Sequence, residues 1–268
     1  MALKLYSDSD IQDIADAIRG KNGTQNTYKV SQMAAAITAI PTGGGSDTPY
    51  LYVDKTGALI VPSGATSYVS DGLMIHLDGI DNTGSGHSSS ATTWADLSGN
   101  GHDATVGDSY RVVNDKYVQI TRTLELAQAL TYANVKHIEM IIKLDGTSST
   151  QCVAPWTNDN AVYIKSAKLQ YSSSASKGIT LSTDICALSF STTAGLTTAY
   201  LDGTEPTLDS STTGTWGSTA FGTRLFGYNS ETAYVMAGRI YSVRMYNRVL
   251  SPVEIIDNWL IDKKRFGL

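Results

Sequence analysis

Cysteine is nearly missing from this chain of 268 residues, in which Cys152 and Cys186 are the two cysteines. Two cysteines are too few for a disulfide framework, and these two are not spaced like a metal-binding pair. We expect both to be free thiols, because folding in a cytoplasm disfavours disulfide bonds. A single bridge between them is the alternative.

Positive charge and long apolar runs are also scarce. The net charge is −5 and the pI is about 5.3, so nucleic acid is not an expected partner. No run approaches the roughly 20 apolar residues that cross a bilayer, so we expect no membrane insertion. The first ten residues, MALKLYSDSD, lack the apolar core of a signal peptide, which predicts folding and assembly in a host cytoplasm.

Strand and turn formers are plentiful. Charged residues make up only 17% of the chain, which has 24 glycines and 15 tyrosines, and this balance favours strands over long helices. From about Asp71 to Arg248, short apolar segments alternate with turn residues such as Asp-Gly, and no helical pattern occurs. This region predicts a mainly β fold, an antiparallel β-sandwich.

Helical patterns are confined to the two ends of the chain. Residues 1–42 carry two amphipathic segments, the first with Ile11, Ile14 and Ile18 on one stripe. They predict a small N-terminal helical hairpin, too small for a core of its own, that docks to a partner; a cap on the main domain is the alternative. Residues 43–70 predict a Gly-rich linker and a short hairpin.

The C-terminal segment 251–266 predicts a helix that packs against the sandwich. Ser251 is the expected N-cap, Pro252 fits the first helical position, and Glu254 completes a capping box. Basic residues at its end suit the negative end of the helix dipole. Residues 71–268 are therefore expected to form one domain, a sandwich with a C-terminal helix.

Two parts of the sequence resemble known families. The segment IADAIRGKNGTQNTYKVSQMAAAI resembles a short module near the start of many tail and other structural proteins of bacteriophages that infect Gram-positive hosts. The segments LMIHLDGIDN, WADLSGNGHDATV, KYVQI, AYLDG and AGRIYSVRMYNRVLSPVEI resemble, in that order, the laminin G-like, concanavalin A-like lectin/glucanase superfamily. That resemblance implies a jelly roll of two curved sheets. Its members commonly bind glycans, while others are glycosidases or structural, so the fold does not settle the function.

Catalytic motifs are not evident. The resemblance to glucanases implies two carboxylates close together on one strand, as Glu-x-Asp-x-Glu, and this sequence has no such motif. Its histidines lie in no nucleophile context, and His76 and His137 sit within strand patterns, where we expect them to be packed. We therefore expect that the chain is not an enzyme. A glycoside hydrolase with carboxylates from distant strands is the remaining catalytic hypothesis.

The segment WADLSGNGHDATV partly matches a calcium loop. Positions 1, 3, 5 and 7 of an EF-hand count are filled by Asp96, Ser98, Asn100 and His102. Position 12 is Gly107 rather than glutamate, so we interpret the segment mainly as a turn after Trp94. A Ca2+ ion held by Asp96 with a carboxylate such as Asp78 or Asp81 is the alternative, and the sequence requires no cofactor.

Three loops carry the groups that a sugar site needs, an aromatic ring beside amide or carboxylate groups. The candidate carbohydrate-binding residues are Trp156, Asn158, Asp159, Trp216, Tyr228 and Asn229. The alternative is that both tryptophans in this set are partly buried rim residues. We expect Trp94 and Trp259 to lie in the core.

These features predict a bacteriophage virion protein. Residues 1–42 would dock to other virion proteins, and the sandwich would adhere to host-surface carbohydrate. Display in several copies would strengthen weak single-site binding, and we expect a homotrimer. The alternative is a capsid or tail decoration protein whose sandwich makes protein contacts.

Overall fold

The computed structural model describes part of the chain in detail. The described residues are 15–16, 52–54, 56–57, 59–131, 134–147, 149–154, 162–171, 179–191, 198–206, 220–227 and 234–268. The chain divides into two compact units, Met1–Tyr50 and Leu51–Leu268. In the first unit Ala15 and Asp16 are helical and Ala15 is buried; the rest of the predicted hairpin lies outside the described residues.

The second unit is built from antiparallel strands, numbered in chain order. A large seven-stranded sheet has the order β15 (Ala199–Leu201), β14 (Ile185–Ser191), β9 (His137–Leu144), β17 (Gly238–Tyr246), β7 (Tyr117–Ile120) and β6 (Arg111–Asn114), with β3 (Leu73–Asp78) also paired to β17. A first small sheet has the order β16 (Ala220–Leu225), β8 (Leu124–Thr131), β5 (Ala104–Thr105) and β4 (Thr93–Trp94). A second small sheet consists of β10 (Gln151–Ala154), β11 (Val162–Lys165), β12 (Lys168–Tyr171) and β13 (Ile179–Thr180). A hairpin joins β1 (Tyr52–Val53) to β2 (Leu59–Ile60).

One hydrophobic core joins the three sheets. In β9, Ile138, Met140 and Ile142 are buried in this core together with residues of both small sheets. Side chains alternate across a strand, so His137 and Glu139 of β9 lie on the opposite, outer face of the large sheet. The fold class expected from the sequence, a mainly β antiparallel sandwich with a C-terminal helix, is confirmed.

The helix α1 (Pro252–Phe266) begins and ends as the sequence predicts. The Ser251 side chain accepts a hydrogen bond from the Glu254 N–H, and the Glu254 carboxylate accepts one from the Ser251 N–H. Gly267 ends the helix in the left-handed conformation, with a φ of 73°. The helix packs Ile255 and Ile256 into a cluster with Tyr246 at the end of β17, so it covers part of the outer face of the large sheet.

The segment before residue 71, for which the sequence predicts a linker and a short hairpin over residues 43–70, belongs from Leu51 onward to the second unit. Ile60 is buried in the cluster beneath α1. Ser63 donates from its hydroxyl to Asp257 at 2.5 Å. Tyr68 donates to Asp262 at 2.8 Å. Side chains of α1 thus tie this segment to the sandwich, which a reading of the Gly-rich composition could not reveal.

Two further predictions from the sequence concern the state of the two cysteines and the expectation of no membrane insertion. Cys152 and Cys186 are both buried thiols outside any disulfide bond, as expected, and burial raises the pKa of the Cys186 thiol to about 12. Within the described ranges, no helix is long and apolar enough to cross a membrane.

Candidate functional site

The six residues predicted to bind carbohydrate, Trp156, Asn158, Asp159, Trp216, Tyr228 and Asn229, lie outside the described residues. Their assignment stays a prediction from the sequence. The described residues nevertheless hold the two predicted metal ligands and three groupings of polar side chains.

Asp96 and Asp78, the proposed calcium ligands, are both surrounded by hydrogen-bond donors. Asp96 accepts bonds from the backbone N–H groups of His76 at 2.9 Å and His102 at 3.0 Å. Asp78 accepts from the Ile80 N–H at 2.7 Å and from the Arg265 guanidinium at 2.6 Å. In the described ranges, no group of three acidic, cysteine or histidine side chains is arranged to hold a metal ion. Both carboxylates thus serve as hydrogen-bond acceptors that hold neighbouring segments of the fold together. Calcium binding stays an untested prediction.

Trp94 anchors the WADLSGNGHDATV segment in the core. Its side chain is fully buried, and its indole N–H donates to the backbone carbonyl of Asp78 at 2.9 Å. The same segment is closed by the Asp96 carboxylate, which accepts from the Ser98 hydroxyl at 2.8 Å. The prediction that this segment is mainly a turn anchored by a core tryptophan is confirmed. Trp259, by contrast, is only partly buried.

The first polar grouping is a buried ionic network between α1 and the large sheet. Arg244 of β17 donates to Glu139 at 3.0 Å and to both carboxylate oxygens of Asp262. Asn258 donates to the same Glu139 oxygen at 2.8 Å. Burial raises the pKa of Glu139. Burial by itself would lower the pKa of Arg244. The carboxylates of Asp262 and Glu139 outweigh this effect and raise that pKa well above its ordinary value.

This network leaves little room for a ligand. Glu139, Arg244, Asp262, Ser189 and Trp259 border a space of about 10 Å³. Such a volume holds about one water molecule. The junction between α1 and the sheet is therefore a structural element, and it is too closed to admit a sugar ring.

The second grouping is a serine–histidine pair on the same face. The imidazole Nε2 of His137 lies 2.8 Å from the Ser189 hydroxyl, a separation that suits a base and a nucleophile. Both residues are buried, and the imidazole Nδ1 has no hydrogen-bond partner among the described residues. Burial lowers the pKa of His137 to about 3. An imidazole of such low basicity accepts a proton from a serine hydroxyl poorly, and both side chains are buried, so we assign the pair to packing.

The third grouping is a partly exposed row of side chains that crosses the outer face of the large sheet. Paired positions in five adjacent strands place these side chains side by side: Val112, Gln119, Arg239, Lys143 and Ile185. Directly paired residues of antiparallel strands point to the same face. Strand spacing makes the row about 19 Å long. We call these five residues the sheet row.

Aromatic rings border the sheet row. The Arg239 guanidinium lies over the Tyr117 ring, 4.9 Å from its centre, and its Nε donates to the Gln119 amide oxygen at 3.3 Å. A hydrogen bond with Tyr241 raises the pKa of Arg239. The Gln119 amide in turn donates to the Asp145 carboxylate at 2.9 Å. The row thus places a guanidinium and an amide beside tyrosine rings, with the Asp145 carboxylate next to the amide.

The sheet row is not among the sites predicted from the sequence. Its signal is the period-two pattern in KYVQI and GRIYSV, where polar residues alternate with core residues. Which polar residues become neighbours depends on the strand order and register, which a single sequence does not specify.

No protein-family model matches the sequence, and no curated protein matches it. Among solved structures, the chain is similar to a mutant of Trypanosoma rangeli sialidase displaying trans-sialidase activity, with a TM-score of 0.51 and 17% identity over 79% of this chain and 35% of that chain. It is also similar to Trypanosoma rangeli sialidase in complex with 2,3-difluoro-KDN, with a TM-score of 0.51 and 15% identity over 95% of this chain and 39% of that chain. The chain therefore spans less than two fifths of the length of either sialidase.

These sialidases contradict the expectation that the chain is not an enzyme, and that expectation is withdrawn. It rested on the lack of a local pair of carboxylates, and groups distant in sequence can assemble a site that no local motif reveals. At 15% and 17% identity, the likeness shows the fold, a β architecture shared with part of a sialidase chain.

Proposed function

We propose that this chain is a bacteriophage virion protein whose sandwich binds carbohydrate on the host surface. The observation that carries the proposal is the sheet row, a partly exposed strip with three polar side chains at its centre and an apolar side chain at each end, bordered by aromatic rings on a paired sheet. Protein sites that recognise sugars combine an aromatic surface with a few fixed hydrogen-bonding groups. The row supplies both within about 19 Å, four strand spacings.

Rigidity favours the sheet row as a binding surface. Its central residues, Arg239 and Lys143, lie on β17 and β9, which pair along their lengths. Sites built on strands hold their side chains more firmly than sites on loops, so less side-chain freedom is lost on binding. The predicted residues Trp156 and Trp216 stay a separate sequence-based hypothesis for a sugar site.

The virion role is supported by the N-terminal sequence. The segment from Ile14 to Ile37 resembles a module of phage structural proteins, and residues 1–50 form a separate compact unit. We propose that this unit docks to other virion proteins, with the chain displayed as a homotrimer. Several copies on one particle would raise the effective affinity of a weak sugar site.

A glycan array tests the carbohydrate part of the proposal. The labelled full chain should bind a subset of bacterial cell-wall and capsular polysaccharides. Gln119→Ala should weaken that binding about two- to tenfold, the worth of one hydrogen bond. Gln128 is an exposed glutamine of β8 in the first small sheet. Gln128→Ala is therefore the matched control and should bind the polysaccharides normally.

The same array separates the alternatives. Loss of binding in Trp156→Ala or Trp216→Ala, with Gln119→Ala unaffected, would move the site to the predicted loops. Release of reducing sugar from a bound polysaccharide would add hydrolysis to adhesion. If the chain binds none of the polysaccharides on the array, carbohydrate adhesion is contradicted altogether.

A decoration protein is the second candidate, favoured by the exposed edge of the large sheet. On the edge strand β6, Val112 is 45% exposed, and Tyr110 beside it is 40% exposed. Exposed apolar side chains on a sheet edge suit protein contacts. Electron microscopy of intact particles with an antibody to residues 71–250 distinguishes the two functions, because signal on the tail supports adsorption and signal on the head favours decoration.

A further inference from the structure

Two cations stand side by side in the middle of the sheet row. Arg239 and Lys143 are directly paired across β17 and β9, so their side chains leave the sheet on the same face. Both are partly exposed. Like charges directly opposite each other on a sheet are destabilising, so this pair costs stability unless something compensates it.

No described carboxylate forms an ion pair with either cation. Beside the row, the Asp145 carboxylate helps to raise the pKa of Arg239 through space, but it accepts its hydrogen bond from the Gln119 amide at 2.9 Å. Elsewhere in the described part of the chain, arginines such as Arg111, Arg248 and Arg265 form close ion pairs. Among the described residues, Arg239 and Lys143 are thus two neighbouring cations without a carboxylate in an ion pair.

Arg239 is also held in a fixed orientation. Its guanidinium lies over the Tyr117 ring, its Nε is bonded to Gln119, and it hydrogen-bonds with Tyr241. Fixing a guanidinium in this way lowers the entropy lost when it binds a ligand. Its planar fork matches the two oxygens of a carboxylate.

We propose that the sheet row binds an acidic polysaccharide through carboxylates on its sugar rings, with Arg239 and Lys143 as the anion-binding residues. This inference rests on the proposed carbohydrate-binding function and names its substrate class. Charge complementarity selects the occupant, because two adjacent cations on a chain of net charge −5 give a local positive site for an anionic ligand.

Sugar carboxylates fit this surface better than a phosphate polymer. The row is flanked by apolar Val112 and Ile185 and by the Tyr117 ring, which suit the apolar faces of sugar rings. A phosphodiester chain without sugar rings would use the cations alone.

The test compares chemically matched ligands on the full chain. The probes are glucuronate- and galacturonate-containing polysaccharides, each beside the same polymer with its carboxylates reduced to alcohols, and poly(glycerol phosphate). The acidic polymer should bind about tenfold to hundredfold more tightly than its reduced form, the factor supplied by a charge-assisted hydrogen bond. Added salt should weaken this difference, since exposed charges are screened.

Variants locate the preference. Arg239→Gln and Lys143→Gln should each abolish most of the difference between acidic and reduced polymers. Arg224→Gln and Lys165→Gln, strand cations of the two small sheets, should keep it. Thermal melts of all four variants check that each remains folded.

The outcomes separate this inference from the proposed function. Equal binding of the acidic and reduced polymers overturns the carboxylate assignment while carbohydrate binding stands. Tighter binding of poly(glycerol phosphate) overturns it as well. A carboxylate preference that survives both row variants places the anion site elsewhere and contradicts the proposal. Failure to bind any polymer contradicts both proposals.

Discussion

Replacing Arg244 by methionine should severely destabilise the sandwich. Methionine preserves much of the apolar stem of the side chain but removes the guanidinium that bonds Glu139 and Asp262. All three side chains are almost completely buried, with side-chain exposures of 2% for Arg244, 4% for Glu139 and 3% for Asp262. The variant therefore leaves two carboxylates facing each other away from water.

The magnitude follows from that burial. Removing one partner of a buried ion pair costs about 3–5 kcal/mol, because the remaining charge stays desolvated. The adjacent space of about 10 Å³ admits about one water molecule, which is too little to hydrate two carboxylates. For a domain of this size, that loss lowers the Tm by about 6–20 °C.

Urea unfolding at pH 7, followed by tryptophan fluorescence, measures the loss. All four tryptophans lie beyond residue 50, so the signal reports on the second unit alone. Arg224→Met is the matched control, because Arg224 pairs with Glu125 at 2.8 Å but is 40% exposed. Surface pairs of this kind contribute about 0–1 kcal/mol.

Two results would refute this reasoning. One is a loss in Arg244→Met no larger than the loss in the control. The other concerns a triple variant that combines Arg244→Met with Glu139→Gln and Asp262→Asn. This triple variant should recover much of the stability lost in Arg244→Met, because none of the three side chains is then charged. If the triple variant is less stable than Arg244→Met, unpaired charge is not the cause.

Three further changes test other parts of the fold. Burial lowers the pKa of His137 from 6.5 to about 3, so the stabilising effect of His137 is full above pH 6.5 and is lost as the pH falls toward 3. In urea titrations, the difference in unfolding free energy between the chain and His137→Gln should therefore shrink by about 2 kcal/mol from pH 7 to pH 5. A difference that stays constant over this range would contradict the prediction. Gly203→Ala should cost about 1–3 kcal/mol more than Gly222→Ala in thermal melts, since both glycines have φ near +72° but only the first would place a Cβ 2.1 Å from Trp259. Ser251→Ala should cost about 1 kcal/mol by removing the helix cap, and an unchanged urea midpoint would argue against the capping box.

Strands with a clear period-two pattern could be predicted from the sequence, and those without one could not. The segment HIEMIIKL forms β9 over the predicted residues, because its alternating apolar side chains match one buried face. The strand β8, with the sequence LELAQALT, was not predicted. Its leucines, alanines and glutamine favour helices as isolated residues, but pairing with β16 and β5 and burial of Leu124, Leu126 and Leu130 decide its conformation.

The helix α1 was predictable because its signals are local. Its cap, first-turn proline and terminal glycine all lie within the segment itself. The sheet row was not predictable, because Gln119, Arg239 and Lys143 come from strands far apart in sequence. Their adjacency depends on tertiary strand pairing, and the same holds for the contacts that join residues 60–69 to α1.

The central claim is that the sheet row binds carbohydrate, and methyl NMR tests it most directly. Val112 and Ile185 mark the two ends of the row, while Ile75 and Val243 lie in the fully buried core. In a chain with labelled isoleucine and valine methyl groups, titration with the tightest-binding polysaccharide fragment should shift the Val112 and Ile185 signals. The Ile75 and Val243 signals should stay in place. Saturable binding that leaves Val112 and Ile185 unshifted would contradict the account.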